Sequence, residues 1–216
     1  MKISLAGESV ELLPERALWW PAAQTLFVAD LHLGKAASFR ALGQPVPAGT
    51  TQDNLQRLSR LIEGHGARRL VFLGDFLHAA PALRPQQIEP VQAWRDAHAG
   101  LDCVLVRGNH DRHAGDPPAS LGISTVDEPW RPDGGPLAAC HHPQRLPGLT
   151  VLAGHWHPAV SLRGPARDRE RLPCFCQTEG LLVLPAFGAC TGASVRPLPP
   201  DAICYPVGSG RVWLRP

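Results

Sequence analysis

The sequence predicts a layered α/β protein, one domain over residues 1–216 with two packed sheets. Three observations carry this expectation. Over the first half, short apolar runs alternate with helix-length amphipathic stretches, the pattern of strands joined through helical crossovers. The final third holds short strand-like runs parted by turn residues, with no helical period. A chain of 216 residues with 44% hydrophobic and 19% charged residues can bury one large core without needing a second domain.

In chain order, the apolar runs are TLFVAD (25–30), RLVFLGD (69–75), CVLVRGNHD (103–111), LAACHH (137–142) and LTVLAGHWH (149–157). Each has strand length and stops at a Gly or a polar cluster. CFCQT, GLLVLPA, DAICYPVG and RVWLRP supply the later strands. Between the first two runs, residues 50–66 set Leu55, Leu58, Leu61 and Ile62 on one helical face, opening on Thr/Asp and closing on Gly66. Residues 86–100 read as a helix only if Pro90 opens it, because an interior proline removes a backbone hydrogen bond. His65 and His98 fall at predicted helix C-termini, where imidazole suits the dipole without any function. SLRGPARDRERLP (161–173) reads as an exposed loop.

Composition excludes several classes. The N-terminal MKISLAGESVELLPER reaches acidic residues too early for a signal peptide, and no apolar run has bilayer length. A cytoplasmic protein without membrane attachment is expected. Six scattered cysteines, several within apolar runs, predict buried free thiols instead of a disulfide framework. Cys174-x-Cys176 lacks a second pair at zinc-site spacing. The net charge of +2 says little about partners; all basic residues but Lys2 and Lys35 are arginine, which suits phosphate but also follows codon bias.

The strand ends carry the chemistry. Asp30-Leu31-His32, Gly74-Asp75, Gly108-Asn109-His110-Asp111, Cys140-His141-His142 and Gly154-His155-Trp156-His157 each finish an apolar run. Alone, any of these is an ordinary turn or cap. Together they place Asp, Asn and His, the ligands that Mn, Fe and Zn accept, at five consecutive strand ends, where α/β sheets build their sites. Strand alternation lets only one of His141 and His142 face inward.

D-x-H, GD, GNHD, a lone His and GHxH in this order resemble the signature of calcineurin-like binuclear metallophosphoesterases. The connecting segments ERALWWP, LFVADLHLGKAASFR, VPAGTT, LVFLGDFLHA, RGNHDRHAG, LAGHWHP, RLPCF and LPAFGACTG are similar to the ligase-associated DNA damage response endonuclease subgroup, PdeM. The likeness runs from about residue 13 to residue 197; ACTGA (189–193) departs where an aromatic and a second Gly are expected. The resemblance implies a two-sheet β-sandwich flanked by helices and two divalent transition metals, Mn preferred with Fe or Zn alternative. One metal would take Asp30, His32 and His157, the other Asn109, His141 and His155, with Asp75 bridging; the family pattern favours His141 over His142. His110 would serve the phosphate, with Asp111 fixing its imidazole. Lys35, Arg40, His78, Arg107, Arg112 and His113 stand near the motifs as candidate substrate contacts.

The implied activity is hydrolysis of DNA phosphodiesters, an endonuclease preferring single strands, linked to a ligase and helicase repair system. A small-molecule phosphatase or cyclic-nucleotide phosphodiesterase would use the same metals, since loops choose the substrate; an open arginine-lined groove marks the first and a closed pocket the second. A non-catalytic scaffold would have lost ligands or His110, and this chain keeps all of them.

Overall fold

The first sheet starts as a meander. β1 (Lys2–Leu5), β2 (Glu8–Leu13), β3 (Ala17–Trp20) and β4 (Thr25–Val28) pair antiparallel in turn. β5 (Arg69–Phe72), β6 (Asp102–Val106) and β7 (Ile123–Val126) then add in parallel, completing seven strands in chain order. α1 (Lys35–Ala41) and α2 (Thr50–His65) lie in the first crossover, α3 (Pro85–Ala97) in the second and α4 (Asn109–Ala114) in the third. The computed structural model describes residues 1–47, 49–163, 169–192 and 197–215.

The second sheet comprises β8 (Leu137–Ala139), β9 (Thr150–Ala153), β10 (Ala159–Arg163), β11 (Arg169–Thr178), β12 (Leu181–Val183), β13 (Ile203–Gly208) and β14 (Arg211–Val212). Its order is β14-β13-β11-β12-β9-β8, with β10 paired to β11. β8, β9 and β12 run parallel, the remaining pairs antiparallel.

Side-chain alternation explains why the central runs are apolar without a break. On β4, Leu26 and Val28 face α2 and α3 while Phe27 faces the second sheet; Leu70 and Phe72 against Val71, and Cys103 and Leu105 against Val104, repeat the division. Leu55, Leu58, Leu61 and Ile62 of α2 complete the helix-side core, as their spacing predicts. Phe27, Val71 and Val104 meet Leu152, Phe175 and Leu182 between the sheets. The outer face of the second sheet is covered by Leu146, Trp156, Leu198 and Ala202. Trp156 therefore packs on this layer.

Three expectations need correction. Pro90 does not open α3; Pro85 does, and Pro90 sits inside it. The cost is small because the carbonyl it leaves without a partner belongs to Gln86, an exposed residue. Residues 161–163 and 169–173 of the anticipated loop pair as strands in a β10–β11 hairpin that is largely exposed, and 164–168 lie outside the described residues. All six cysteines are free, but only Cys103, Cys140, Cys174 and Cys176 are buried; Cys190 and Cys204 are half-buried. Among the described residues, no helix is long and apolar enough to cross a membrane.

Candidate metal centre

β4, β5 and β6 end beside the ends of β8 and β9, so the polar segments converge from two sheets instead of one row; β7 intervenes in sequence and contributes no candidate ligand. The ladder continues past the strands: Asp30 N donates to Gly74 O (3.2 Å) and His32 N to Asp75 O (2.8 Å). This extension holds D-x-H against GD.

Asp30 is fully buried and Asp75 is 2% exposed. Among the described residues their ion-pair partners are all histidines. His157 Nε2 lies 3.5 Å from Asp30 Oδ1, His32 Nε2 3.7 Å from Asp75 Oδ2 and His141 Nε2 3.5 Å from Asp75 Oδ1. His141 Nε2 also lies 2.9 Å from Asn109 Oδ1 and 3.0 Å from His155 Nδ1. Asp30, His32 and His157 form one cluster of potential ligand atoms; Asp30, Asp75 and His141 form another.

The donor set fits divalent cations on three counts. Both ring nitrogens of buried His32 lack a hydrogen-bond partner. His141 Nδ1 donates to Leu73 O at 3.0 Å, a carbonyl that only accepts, which leaves Nε2 as the ring atom facing Asp75 and His155. Burial pushes His32 down to about 2, helped by the charges of Lys35, His157, His110 and His78, and lowers His155 as well. Both shifts favour the neutral imidazole, the form that binds metal. Burial raises the Asp75 carboxyl, with Asp30 adding to the rise. A cation in the site reverses that penalty.

Backbone conformation is as specific as the side chains. Asp30, His32, Asp75, His155 and His157 all have positive φ, between 47° and 68°. A non-glycine residue there is uncommon, and such strain persists where the surroundings enforce it, as at functional sites. Two glycines make room. A Cβ on Gly74 (φ 77°) would overlap the His141 imidazole, and one on Gly108 would overlap the Asp75 carboxylate.

His141 and His142 do not follow strand alternation, because β8 ends at Ala139 and the chain bends at 141–142. Both rings lie beside His155, with centroids 4.9 and 4.8 Å away. His141 is fully buried, whereas the His142 side chain is 42% exposed and gives Nδ1 to Glu128 Oε1 at 2.6 Å.

The expected His110–Asp111 contact is not formed. Asp111 accepts from Leu77 N and Gly108 N, both at 2.9 Å, so it ties the start of α4 to the segment after β5. Side chains of adjacent helical residues point apart, which keeps this carboxylate from the imidazole. Burial raises the Asp111 carboxyl despite these two bonds. His110 instead bonds His78 O through Nδ1 at 2.7 Å and stacks on the His78 ring, 5.1 Å between centroids. Its Nε2 faces inward, 4.0 Å from Asp75 Oδ2.

The other candidates divide. Lys35 and His78 line the site: burial lowers the lysine, with Asp30 and Asp75 opposing, and burial takes His78 down to about 4 with help from Lys35 and His110. Arg107 is held by Asp116 (2.8 Å) and Asp127 (3.2 Å), Arg112 by Asp127 (3.0 Å), and Arg40 by Pro47 O (3.0 Å). His113 turns back to Asn109 O at 2.5 Å. Sequence reasoning missed Glu128 altogether. Burial pushes its carboxyl up, but hydrogen bonds from the His142 ring and the amides of His142 and His141 outweigh that and hold it below the usual range.

A sandwich that gathers acidic and imidazole ligands at the ends of both sheets is the architecture of a metallophosphoesterase, and the chain belongs to the calcineurin-like phosphoesterase family. The family model matches residues 23–157, which contain every candidate ligand. Among solved structures, the crystal structure of Pseudomonas putida nuclease MPE is 45% identical, spanning 100% of this chain and 99% of that one with a TM-score of 0.85. The phosphoesterase Yfce from E. coli is 17% identical over 87% of this chain and 95% of that one, with a TM-score of 0.41. No curated protein matched the chain.

Proposed function

We propose that this protein is a manganese-dependent phosphodiesterase that cuts DNA internally, with single strands as its preferred substrate. One observation carries the reading: two buried aspartates without a lysine or arginine ion-pair partner, among the described residues, stand amid a cluster of imidazoles at converging strand ends. Likeness over the whole chain to a nuclease supports DNA as substrate. Asp30, His32 and His157 would hold one cation, Asn109, His141 and His155 the other, and Asp75 both. When bound, the two ions would activate water and offset charge on the phosphoryl oxygens.

The chain's own residues supply the rest. His78 O can only accept, so His110 carries a proton on Nδ1; its imidazolium form then donates from Nε2 to the departing oxygen. Asp111 holds the α4 segment that presents this ring. Lys35 brings a positive charge to the substrate side without a carboxylate ion-pair partner among the described residues. His110 and His142 have side chains 37% and 42% exposed, and a site open to this degree suits a polymer better than an enclosed nucleotide. Cytoplasmic location and service alongside a ligase and helicase repair system complete the proposal.

The test uses metal-stripped protein with manganese on circular single-stranded DNA, with bis-p-nitrophenyl phosphate in parallel. Manganese-dependent linearisation that His110→Ala lacks is the expected result. Turnover of the small diester with an intact circle would reassign the protein to nucleotide substrates.

A further inference from the structure

Glu128 stands in the connection between β7 and β8, far in sequence from any ligand motif, yet it touches the site at three points. Its Oε2 accepts from the main-chain N–H of His141 (2.7 Å) and of His142 (2.9 Å), and its Oε1 accepts from His142 Nδ1 (2.6 Å). The side chain is 17% exposed, so these bonds are shielded.

Consecutive amides in a strand point to opposite sides. Here both converge on one oxygen, which is possible only because the chain bends where β8 stops. The parallel ladder is running out at this point: Cys140 N still donates to Leu152 O, and Gly154 N to His141 O, but the amides of 141 and 142 go to Glu128. The bend delivers the His141 ring inward, with Nε2 beside Asn109, His155 and Asp75, and leaves His142 at the rim. Among the described residues, these two amides have no acceptor but the Glu128 carboxylate.

We infer that Glu128 is a positioning residue for one half of the metal centre: by clamping the 141–142 main chain it sets His141 as a ligand, while leaving Asp30, His32 and His157 untouched. This rests on the two-metal reading above. Residues that orient ligands from behind typically change metal affinity by about 10- to 100-fold when removed. Glu128→Ala therefore weakens one of two manganese sites by about that factor and leaves the other as in the parent. Glu128→Gln keeps an oxygen that can accept from the amides and recovers part of the loss. His142→Ala removes only the ring contact and leaves both affinities within about threefold, since the main-chain clamp survives.

The experiment titrates metal-stripped, full-length protein with manganese and reads free Mn(II) by electron paramagnetic resonance, with circular dichroism as the check on folding. Selective weakening of one site in Glu128→Ala, partial recovery in Glu128→Gln and near-parent binding in His142→Ala are expected. Parent-like binding at both sites in folded Glu128→Ala would overturn the inference, as would equal weakening of both. Should the alanine variant not fold, Glu128→Leu, which fills the space without offering an acceptor, decides by the same comparison: parent-like affinity at both sites overturns the inference. A parent protein binding fewer than two manganese ions would instead overturn the two-metal reading beneath it.

Discussion

Gly108→Ala isolates the contribution of packing around Asp75, the aspartate proposed to hold both cations. Gly108 has φ −91° and ψ 176°, a conformation alanine adopts freely, so the substitution introduces no backbone strain. What it introduces is a methyl group 2.5 Å from the main-chain N of Asp75 and against its carboxylate. Ordinary contact begins at 3.4 Å, so Asp75 or the 108–110 segment must retreat by about 1 Å. Neither can yield freely, because His110 N is bonded to Asp75 Oδ1 (2.9 Å) and Gly108 N to Asp111 (2.9 Å). Overpacking of this kind costs about 1–3 kcal/mol, partly offset by about 0.4–1 kcal/mol from the less flexible unfolded chain. A modest fall in melting temperature, about 2–8 °C, is expected. Catalysis should suffer far more, since a 1 Å misplacement costs roughly a hundredfold. The assay is manganese-dependent hydrolysis of bis-p-nitrophenyl phosphate beside thermal unfolding by circular dichroism. Gly64→Ala is the control: inside α2 with nothing within 4 Å of the new Cβ, it should stabilise by about 0.5–1 kcal/mol and leave activity unchanged. Gly108→Ala retaining more than about a tenth of parental activity would refute the reasoning.

Metal removal should be visible in stability. Adding manganese at about a hundred times its dissociation constant stabilises the stripped protein by about 2.7 kcal/mol per site, a rise of roughly 5–10 °C in a calorimetric scan; an unchanged midpoint would deny the buried aspartates their cations. The two classes of basic residue should separate in DNA kinetics. Lys35→Ala raises KM roughly tenfold, the loss of one charge-assisted contact, whereas Arg107→Ala stays within about twofold because its guanidinium already serves Asp116 and Asp127; the reverse order would show that the arginine network opens towards substrate.

The ligand segments were legible in the sequence because β4, β5, β6, β8 and β9 are apolar on both faces, so their first polar residues mark where the strands leave the core. α2 was legible for the same reason, its apolar residues recurring at helical spacing. The antiparallel strands β1–β3 and the edge strand β7 were not identified; β7, ISTV, is only half-buried and leaves no sharp apolar run. Asp111 was misread because adjacency in sequence suggested contact with His110, whereas the helical turn sends its carboxylate back to two main-chain amides. Arg107 and Arg112 looked free because Asp116 and Asp127 sit 9 to 20 residues away from them and meet them only in the folded surface.

The same physics explains why the candidate ligand segments were legible and the residues that hold them were not. Asp30, His32, Asp75 and His141, the buried candidate ligands, follow directly on the chain's driest strands, and a hydrophobicity pattern reveals those ends. The groups that aim them answer a different need, the backbone amides left over where a ladder stops. Those amides can be satisfied by any carboxylate that the fold brings near, from any distance in sequence. Glu128 takes the two amides at the end of β8 and Asp111 takes those of Gly108 and Leu77, and each thereby fixes a side chain that is not its own. Positive φ at five candidate ligands is the counterpart of that arrangement: the strain is held locally by bonds whose donors and acceptors come from the opposite sheet or the next strand, such as His155 N on Asp30 and His110 N on Asp75. The candidate metal centre is thus a property of where two sheets end together, its residues coming from both.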